Sequence, residues 1–294
     1  MTTISAETIL RSRNRSRPDK VLTTLLLRYP RWIHAEFLTH RAFSRNAASS
    51  RAIPVEKIIA DIMADPAVPL YWGKNQKGMQ ASEECNAEVY VPVLEPRHSV
   101  YNVPKMSNSE AWLAARDLAV EAAEGFVAAG YHKQIVNRLL EPFAHITTLV
   151  SATEWDNFLE LRDHAAAEPH FQILAQAIRK CLDHDVQELS PGDYHLPFVT
   201  AEARLAAGTS CTGLHDLKVL SIARCASTSY KTVDGFEMTQ EKAQDIYAKL
   251  VGSRPVHASP SEHVAFADFW DETSWTGRQL HGNFVGFCQS RFGL

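Results

Sequence analysis

The chain has 294 residues, of which 45% are hydrophobic and 22% charged, and its formal net charge is -4. This composition predicts a globular protein with a sizeable core, and the negative charge argues against broad, nonspecific nucleic-acid binding. The five cysteines are scattered and form no C-x-x-C pair, which favours reduced thiols in a cytoplasmic protein over disulfides or a structural zinc site. No apolar run resembles a signal peptide or reaches the roughly 18 residues of a membrane span.

The first third of the chain predicts a strand, two helices and a long loop. Val21 to Leu27 is a short apolar run typical of a buried strand. Residues 32–38 suggest a short helix, and residues 55–63 a second one. Residues 69–105 are rich in Gly, Asn, Pro and Tyr, which favours a loop or lid over a core element.

The middle of the chain is predicted to be mainly helical. Residues 109–129 have amphipathic periodicity, and residues 133–140 predict a shorter helix. A strand is expected within residues 143–150. Residues 154–180 predict a long helix with a kink or break at Pro169.

The last third begins at a candidate boundary. Residues 185–213 are rich in Pro, Gly and Asp and are expected to be an irregular linker. A helix is predicted over residues 239–250, and residues 256–263 predict a turn.

The segment from His40 to Arg51 indicates an anion site. It combines arginine, histidine, serine and asparagine side chains and contains no carboxylate. Guanidinium groups bind phosphate bidentately, and serine hydroxyls and backbone amides supply further donors. The alternative is a solvated basic loop.

The same segment resembles the signature of the flavin-dependent thymidylate synthases, the ThyX family, which reads R-H-R-x-x-S-x-N-E-x-S-x-R-Y. The matching positions are His40, Arg41, Ser44, Asn46, Ser49 and Arg51. The chain departs from the pattern on the substrate side, where the family's arginine, glutamate, tyrosine and an upstream glutamine are replaced by Thr39, Ala47, Ala52 and Glu36.

A second resemblance lies in the predicted helix. Arg162 continues an apolar stripe that starts at Trp155, so it needs a partner, and a salt bridge to a neighbour such as Asp163 is one interpretation. The stretch from Asn157 to Arg162 is similar to the family's N-F-L-x-L-R, which implies that the asparagine contacts the flavin and the arginine the pyrimidine of dUMP. Arg138 stands where the family has another arginine against the nucleotide.

A third resemblance concerns two motifs whose order along the chain differs from that in the family. Residues 257–263 resemble the family's H-x-T-P-F-E-H, and residues 221–227 resemble its A-R-V-S segment. Both precede R-H-R in the family but follow it here, which implies a circular permutation. His257, His263 and Glu262 could also suggest a metal site, but a third clear ligand is lacking, so no metal is expected.

The resemblance implies one permuted α+β domain with the flavin-dependent thymidylate synthase fold over residues 1–294. Its expected parts are a motif-bearing part (21–184), the linker (185–213) and a part equivalent to the family's N-terminal segment (214–294). The family assembles its sites between the subunits of a homotetramer, so self-association is expected.

The implied activity is reductive methylation at C5 of dUMP, with FAD as cofactor and methylenetetrahydrofolate and NADPH as co-substrates. Arg138 and Arg162 are the expected catalytic residues. The expected substrate-binding residues are Glu36, Ser49, Ser50, Arg51, Arg138 and Arg162. The expected flavin-binding residues are His40, Arg41, Ser44, Asn46, Asn157, His257, Ser259 and Glu262.

Two alternatives remain open. The substrate-side departures favour an FAD-dependent enzyme of viral (phage) type that alters a 5-substituted pyrimidine nucleotide, or a base in hypermodified viral DNA, and only then would nucleic acid be a partner. The chain could instead be a catalytically silent nucleotide-binding relative.

Overall fold

The computed structural model describes residues 3–91, 105–208, 210–229, 238–269 and 278–294, and it mixes helices and strands. The strands are β1 (Ser5–Asn14), β2 (Arg17–Pro30), β3 (Ser44–Ala47), β4 (Val89–Tyr90), β5 (Lys105–Met106), β6 (His145–Ala152), β7 (Gln187–Leu189), β8 (Tyr194–His195), β9 (Ala265–Ala267) and β10 (Phe287–Gln289). The α-helices are α1 (His34–Phe37), α2 (Val55–Ala64), α3 (Asn108–Ala128), α4 (Lys133–Leu140), α5 (Asp156–Arg162), α6 (Pro169–Cys181), α7 (Ala201–Ala207), α8 (Cys211–Ala226) and α9 (Gln240–Val251).

Strand β2 is the centre of the larger sheet, whose order is β3-β6-β2-β1-β7. It pairs antiparallel with β1 and β6, and β7 joins β1 in parallel. Its apolar residues Leu25, Leu27 and Tyr29 are fully buried. They pack with residues of α1, β6, α5 and α6 in one apolar cluster, so this face of the sheet is covered by helices. Burial of this apolar surface is the main stabilising contribution to the fold.

Two further regions complete the described chain. Helices α2, α3 and α4 pack together through a second apolar cluster that includes Ile58, Ala123 and Val136. Strands β8, β9 and β10 form a small antiparallel sheet, and α8 packs against α9. The 3-10 helix Ser259–His263 lies against β3 and α8, so it connects the C-terminal region to the larger sheet.

The elements predicted in the first two thirds are confirmed in outline. Val21 to Leu27 lies within β2, and the predicted helix over residues 154–180 is broken into α5 and α6. Pro169 is the first residue of α6, where proline is tolerated because the first turn lacks intrahelical N–H bonds. Residues 69–91 mostly lack regular secondary structure, as expected of a loop, although they include the short strand β4, and residues 92–104 of the predicted lid lie outside the described part.

Strand β1 was not predicted from the sequence. Its fully buried side chains are the polar Ser12 and Asn14, so it lacks the apolar alternation that indicates a strand. Both polar groups are satisfied by distant partners. Ser12 bonds His195, and Asn14 donates to the backbone oxygens of Asp268 and Gly286.

The prediction that residues 185–213 are irregular is wrong. The segment contains β7, β8 and α7, and it contributes a strand to each of the two larger sheets. The turn between β7 and β8 contains Gly192 at φ +87°, a conformation that glycine adopts without strain. Residue 209 of this segment lies outside the described residues. Among the helices that the structure describes, none is both long and apolar enough to span a membrane.

Candidate functional site

The segment from His40 to Arg51 is not one continuous loop. A turn at His40–Phe43 leads into edge strand β3, and a second turn follows before α2 begins at Val55. In β3, Ser44 pairs with Ser151 and Ala47 with Thr148 of β6. The segment therefore divides into two turns, one on each side of a short edge strand.

The first turn carries a cluster built on Arg162, at the end of α5. Arg162 donates from Nη1 to Oε2 of Glu36 at 2.8 Å and from Nε to Nε2 of His40 at 3.0 Å. Its guanidinium carbon lies 4.5 Å from the ring centroid of Phe171, a cation–π arrangement. Arg162 therefore has the partner that its place on an apolar stripe requires, and its side chain is only 20% exposed.

His40 is buried within this cluster. Its ring lies 4.9 Å from that of Phe158, and the residue is 8% exposed. Burial, together with the positive charges of Arg162 and Arg45, lowers the pKa of His40 to about 4. The imidazole is therefore neutral near pH 7.

The partner of Arg162 is Glu36 and not Asp163. Asp163 instead accepts from Nε of Arg179 at 2.7 Å. Glu36 stands where the resembled family has glutamine, and its charge opposes that of Arg162 directly. The substitution thus adds a negative charge to the predicted substrate side of the site.

The second turn carries a different cluster, built on Glu141. Ser50 donates its hydroxyl to Oε1 of Glu141 at 2.6 Å, and Arg138 donates to the two carboxylate oxygens at 3.1 and 3.3 Å. Arg31 lies 3.3 Å from the same carboxylate. Glu141 was not predicted as a site residue. The signal that could have found it is its position three residues after Arg138, where a helical pair can meet.

Arg51 and Arg138 line the same open cleft on the surface of α4. The apolar side chains of Phe126, Ile135 and Leu139 also line it. Arg51 is exposed, as is its neighbour Ser49. The structure therefore brings together two of the arginines predicted to bind substrate, whereas the predicted Ser50 is buried and lines a different cavity.

A cavity of about 220 Å³ lies behind Ser50. Asn137 donates from Nδ2 to the backbone oxygens of Ser50 and Ile53 at 2.6 and 3.0 Å, which fixes the turn. Within the described residues, the buried Oδ1 of Asn137 and Nε2 of His145, both from residues that line the cavity, have no hydrogen-bond partner. Buried polar atoms are usually paired, so these two atoms are exceptions in this part of the structure.

The side chains predicted to bind flavin divide into two sets. Four are exposed at the surface: Arg41, Asn157, His257 and Ser259. The other four have protein partners. His40 bonds Arg162, Ser44 bonds Asn283 and Gln289, Asn46 donates to the backbone oxygen of Cys225 at 2.7 Å, and Glu262 pairs with Arg291. Ser44 is only 2% exposed, so its hydroxyl faces the protein interior.

The C-terminal segment lies against strand β3 although it is more than 200 residues away in sequence. His263 bonds Oγ of Ser151 through Nδ1 at 2.8 Å, and Ser151 is the cross-strand partner of Ser44. Asn46, two residues further along β3, reaches the end of α8. The two segments that resemble the family's N-terminal motifs therefore pack beside the segment that resembles R-H-R. The circular permutation stays a prediction.

A buried hydrogen-bonded chain runs beneath these segments. Ser12 bonds His195, His195 bonds Thr24, Thr24 bonds Ser151 at 2.6 Å, and Ser151 bonds His263. Burial lowers the pKa of both histidines to about 3, so both are neutral near pH 7.

No protein-family model matches the chain, and no curated protein matches it. Among solved structures, the chain is similar to a UMP/dUMP methylase, PolB from Streptomyces cacaoi, bound with 5-Br UMP, at 15% identity and a TM-score of 0.45. The match covers 63% of this chain and 91% of PolB. The same methylase bound with 5-Br dUMP gives 15% identity and a TM-score of 0.40, over 63% of this chain and 92% of PolB.

Proposed function

We propose that this chain is a flavin-dependent enzyme that acts at C5 of a deoxyuridine nucleotide, in the manner of the ThyX family that its motifs resemble. The observation that carries the proposal is that Arg51 and Arg138 line one cleft, with the exposed Ser49 two residues before Arg51 in the chain. Two guanidinium groups and the hydroxyl of Ser49 form a set of donors suited to a nucleotide phosphate. The proposed reaction is the methylation of dUMP, with methylenetetrahydrofolate as carbon donor and NADPH as reductant.

Arg162 is proposed to meet the pyrimidine. It is largely buried over Phe171, where a positive charge interacts more strongly with charge that develops on a base than it would in water. Glu36 already pairs with this guanidinium. The nucleotide would therefore bind with Arg162 and Glu36 together rather than with a free cation.

The two arginine clusters support an active site shared between subunits. Arg138 lies in α4 and bonds Glu141, whereas Arg162 is the last residue of α5 and bonds Glu36 and His40. We infer that one subunit supplies the phosphate cleft and another supplies Arg162, within a homotetramer. In this arrangement both predicted catalytic arginines contact one nucleotide although they come from different subunits.

The exposed residues among those predicted to bind flavin carry side chains that suit the cofactor. Asn157 and Arg41 adjoin Phe158 and His40, whose rings are in contact, and Ser259 begins the 3-10 helix that packs on β3. Their amide, guanidinium and hydroxyl groups suit a pyrophosphate and a flavin ring. FAD, when bound, supplies the hydride that converts the transferred carbon to a methyl group. Ser44 and Asn46 would support the surrounding strand through their protein contacts.

A second candidate function is favoured by the Glu36–Arg162 ion pair. A carboxylate at this point changes the hydrogen-bonding groups that a base would meet, because it only accepts where glutamine both donates and accepts. A pyrimidine with a polar 5-substituent could donate a hydrogen bond to this carboxylate. The second candidate is therefore a flavin-dependent enzyme that acts on a 5-substituted pyrimidine nucleotide.

The first experiment is the visible spectrum of the purified protein, followed by mass analysis of what it releases on denaturation. The proposal expects a yellow protein that releases FAD. The Asn157→Ala, Arg41→Ala double variant should lose the colour, whereas Arg13→Ala, a surface arginine paired with Glu188, should keep it. A colourless protein that takes up no added FAD would contradict the flavin assignment and favour the silent relative.

The second experiment tests the reaction and the shared site. Wild-type protein with dUMP, methylenetetrahydrofolate and NADPH should form dTMP. Arg51→Ala and Arg162→Ala should each form dTMP much more slowly than wild type when dUMP is subsaturating. If the site is shared, co-expression of the two variants restores activity in the mixed oligomers that keep one intact site. Turnover of a 5-substituted nucleotide but not of dUMP would favour the second candidate, and turnover of neither would overturn the enzyme proposal.

A further inference from the structure

Three side chains that the proposed function does not use converge near the C-terminus. Asp268 follows β9, His281 follows a 3-10 helix, and Cys288 lies in β10. One oxygen, one nitrogen and the sulfur of these residues lie within 4.8 Å of one another, and Nε2 of His281 is 2.8 Å from Oδ2 of Asp268. The residues His281 and Cys288 are 4% and 1% exposed.

The backbone around the three side chains is fixed by hydrogen bonds. The amide of Asp268 donates to the oxygen of Gly286 at 3.1 Å. Asn14 of β1 donates to the oxygens of both Asp268 and Gly286, at 2.9 and 2.8 Å. Cys288 is held in register opposite Phe266 by the pairing of β10 with β9. Asp268 and Cys288 are therefore held by the paired strands, and His281 lies in a turn closed by the hydrogen bond from the amide of Phe284 to its oxygen.

We propose that Asp268, His281 and Cys288 bind a Zn²⁺ ion. Carboxylate oxygen, imidazole nitrogen and thiolate sulfur are the zinc ligands of proteins, at about 2.0 to 2.3 Å from the ion. Ligand atoms at those distances lie roughly 3 to 4 Å apart around a tetrahedral ion, and the three observed atoms lie within 4.8 Å of one another. Small side-chain rotations would therefore bring all three atoms to bonding distance from one metal ion. Three protein ligands leave the fourth position to water.

Zinc binding is balanced by proton release. The thiol of Cys288 gives up its proton to solvent when the Zn–S bond forms. The proton that Nε2 of His281 now donates to Asp268 also leaves when Nε2 binds the metal, and Nδ1 takes up one proton from solvent, so the imidazole stays neutral and one proton is released in total. The ion would replace the hydrogen bond that now joins His281 to Asp268. It would also connect β9, β10 and the preceding turn, and through Asn14 it would stabilise their contact with β1.

The test is metal binding by the full chain, with readouts that do not depend on activity. Protein purified without chelator is analysed for zinc, and chelator-treated protein is titrated with Co²⁺. Wild type should hold one zinc per chain and show a sulfur-to-cobalt charge-transfer absorption band. Cys288→Ser should lose the band and most of the zinc, and His281→Gln should lose most of the zinc. Cys181→Ser, which removes another buried thiol, should lose neither.

Folding is monitored separately by circular dichroism and thermal unfolding. Added zinc should raise the melting temperature of chelator-treated wild type and of Cys181→Ser, but not of folded Cys288→Ser or His281→Gln. If chelator-treated wild type binds neither zinc nor Co²⁺, the three side chains form a hydrogen-bonded cluster only, and the proposal is wrong. Retention of the cobalt band in Cys288→Ser would overturn the assignment of the sulfur ligand.

Discussion

Arg162 fixes the protonation state of His40. The Nε atom of Arg162 lies 3.0 Å from Nε2 of His40, and a guanidinium can only donate a hydrogen bond. Nε2 is therefore the acceptor, and the neutral ring carries its one proton on Nδ1. His40 thus contributes no positive charge to an anion site, so the charge for phosphate must come from the neighbouring arginines.

The first prediction concerns the stability of the fold at mildly acidic pH. Burial lowers the pKa of His40 to about 4 and that of His195 and His263 to about 3, from an ordinary value of 6.5. Below pH 6.5 the unfolded chain therefore binds more protons than the folded chain, and the free energy of unfolding should fall steadily as the pH drops from 6.5 to 5. Urea unfolding at pH 7.5, 6 and 5 measures this slope.

Most carboxyl groups titrate below this window, so the slope reports mainly on histidines. His257→Gln alters an exposed histidine and should leave the slope unchanged. An unfolding free energy that is equal at pH 7.5 and pH 5 would mean that these histidines are not buried in their neutral form.

The second prediction concerns the buried chain of hydrogen bonds beneath the site. Ser151 joins Thr24 to His263, and Nε2 of His263 already has no partner among the described residues. Ser151→Ala leaves Nδ1 unpaired as well, so it should lower the free energy of unfolding by about 1 to 3 kcal/mol. Ser82→Ala removes an exposed hydroxyl and should change it by less than about 0.5 kcal/mol. If the two substitutions lower the free energy of unfolding equally, the buried hydrogen bonds of Ser151 do not stabilise the fold as predicted.

The third prediction separates the two arginine clusters. Arg51→Ala should weaken nucleotide binding by about 1.5 to 3 kcal/mol, which is roughly a 10- to 150-fold loss of affinity, because it removes a charge-assisted contact to phosphate. Arg162→Ala should reduce the rate of the chemical step more than binding, because its interaction strengthens as negative charge develops on the base. Calorimetric titration and single-turnover flavin oxidation measure the two effects.

Arg13→Ala is the matched control for both variants, because Arg13 is paired with Glu188 on β7. If Arg162→Ala leaves single-turnover oxidation unchanged, the Glu36–Arg162 ion pair is structural only.

The fourth prediction concerns Glu36 as a determinant of substrate choice. Glu36→Gln removes the negative charge opposite Arg162 and should increase affinity for unsubstituted dUMP about tenfold, or roughly 1.4 kcal/mol. The fold should be little affected, because the Glu36 side chain is 47% exposed and glutamine keeps a side-chain oxygen that can accept the hydrogen bond from Arg162. Binding of dUMP and of a 5-substituted analogue is compared in wild type and variant. An unchanged preference would remove the main support for the second candidate function.

The sequence predicted the elements whose signal is local. The strand within β2 follows from an apolar run, and the break before α6 follows from Pro169. Strand β1 could not be predicted, since its buried Ser12 and Asn14 are satisfied only by residues far along the chain. Local patterns carry no information on such distant partners.

The contacts within the candidate site likewise could not be predicted from local sequence patterns. The motifs identified Arg162 and Glu36 separately, but their ion pair joins residues 126 positions apart. The motifs did not identify Glu141, whose interactions with Ser50 and Arg31 depend on how α4 packs beside the second turn. Which predicted side chains are exposed to a ligand and which are bonded within the protein depends on tertiary packing.

The placement of β7 and β8 affects how the chain responds to cleavage. Only residues 190–193 separate the strand that pairs with β1 from the strand that pairs with β9. A single cut there would free an edge strand of each sheet at once and uncouple His195 from Ser12 and Thr24. Fragments that end or begin in this turn would each lack part of their hydrogen-bonded framework, so the two sides of the chain depend on each other for folding and are poor choices for separate expression.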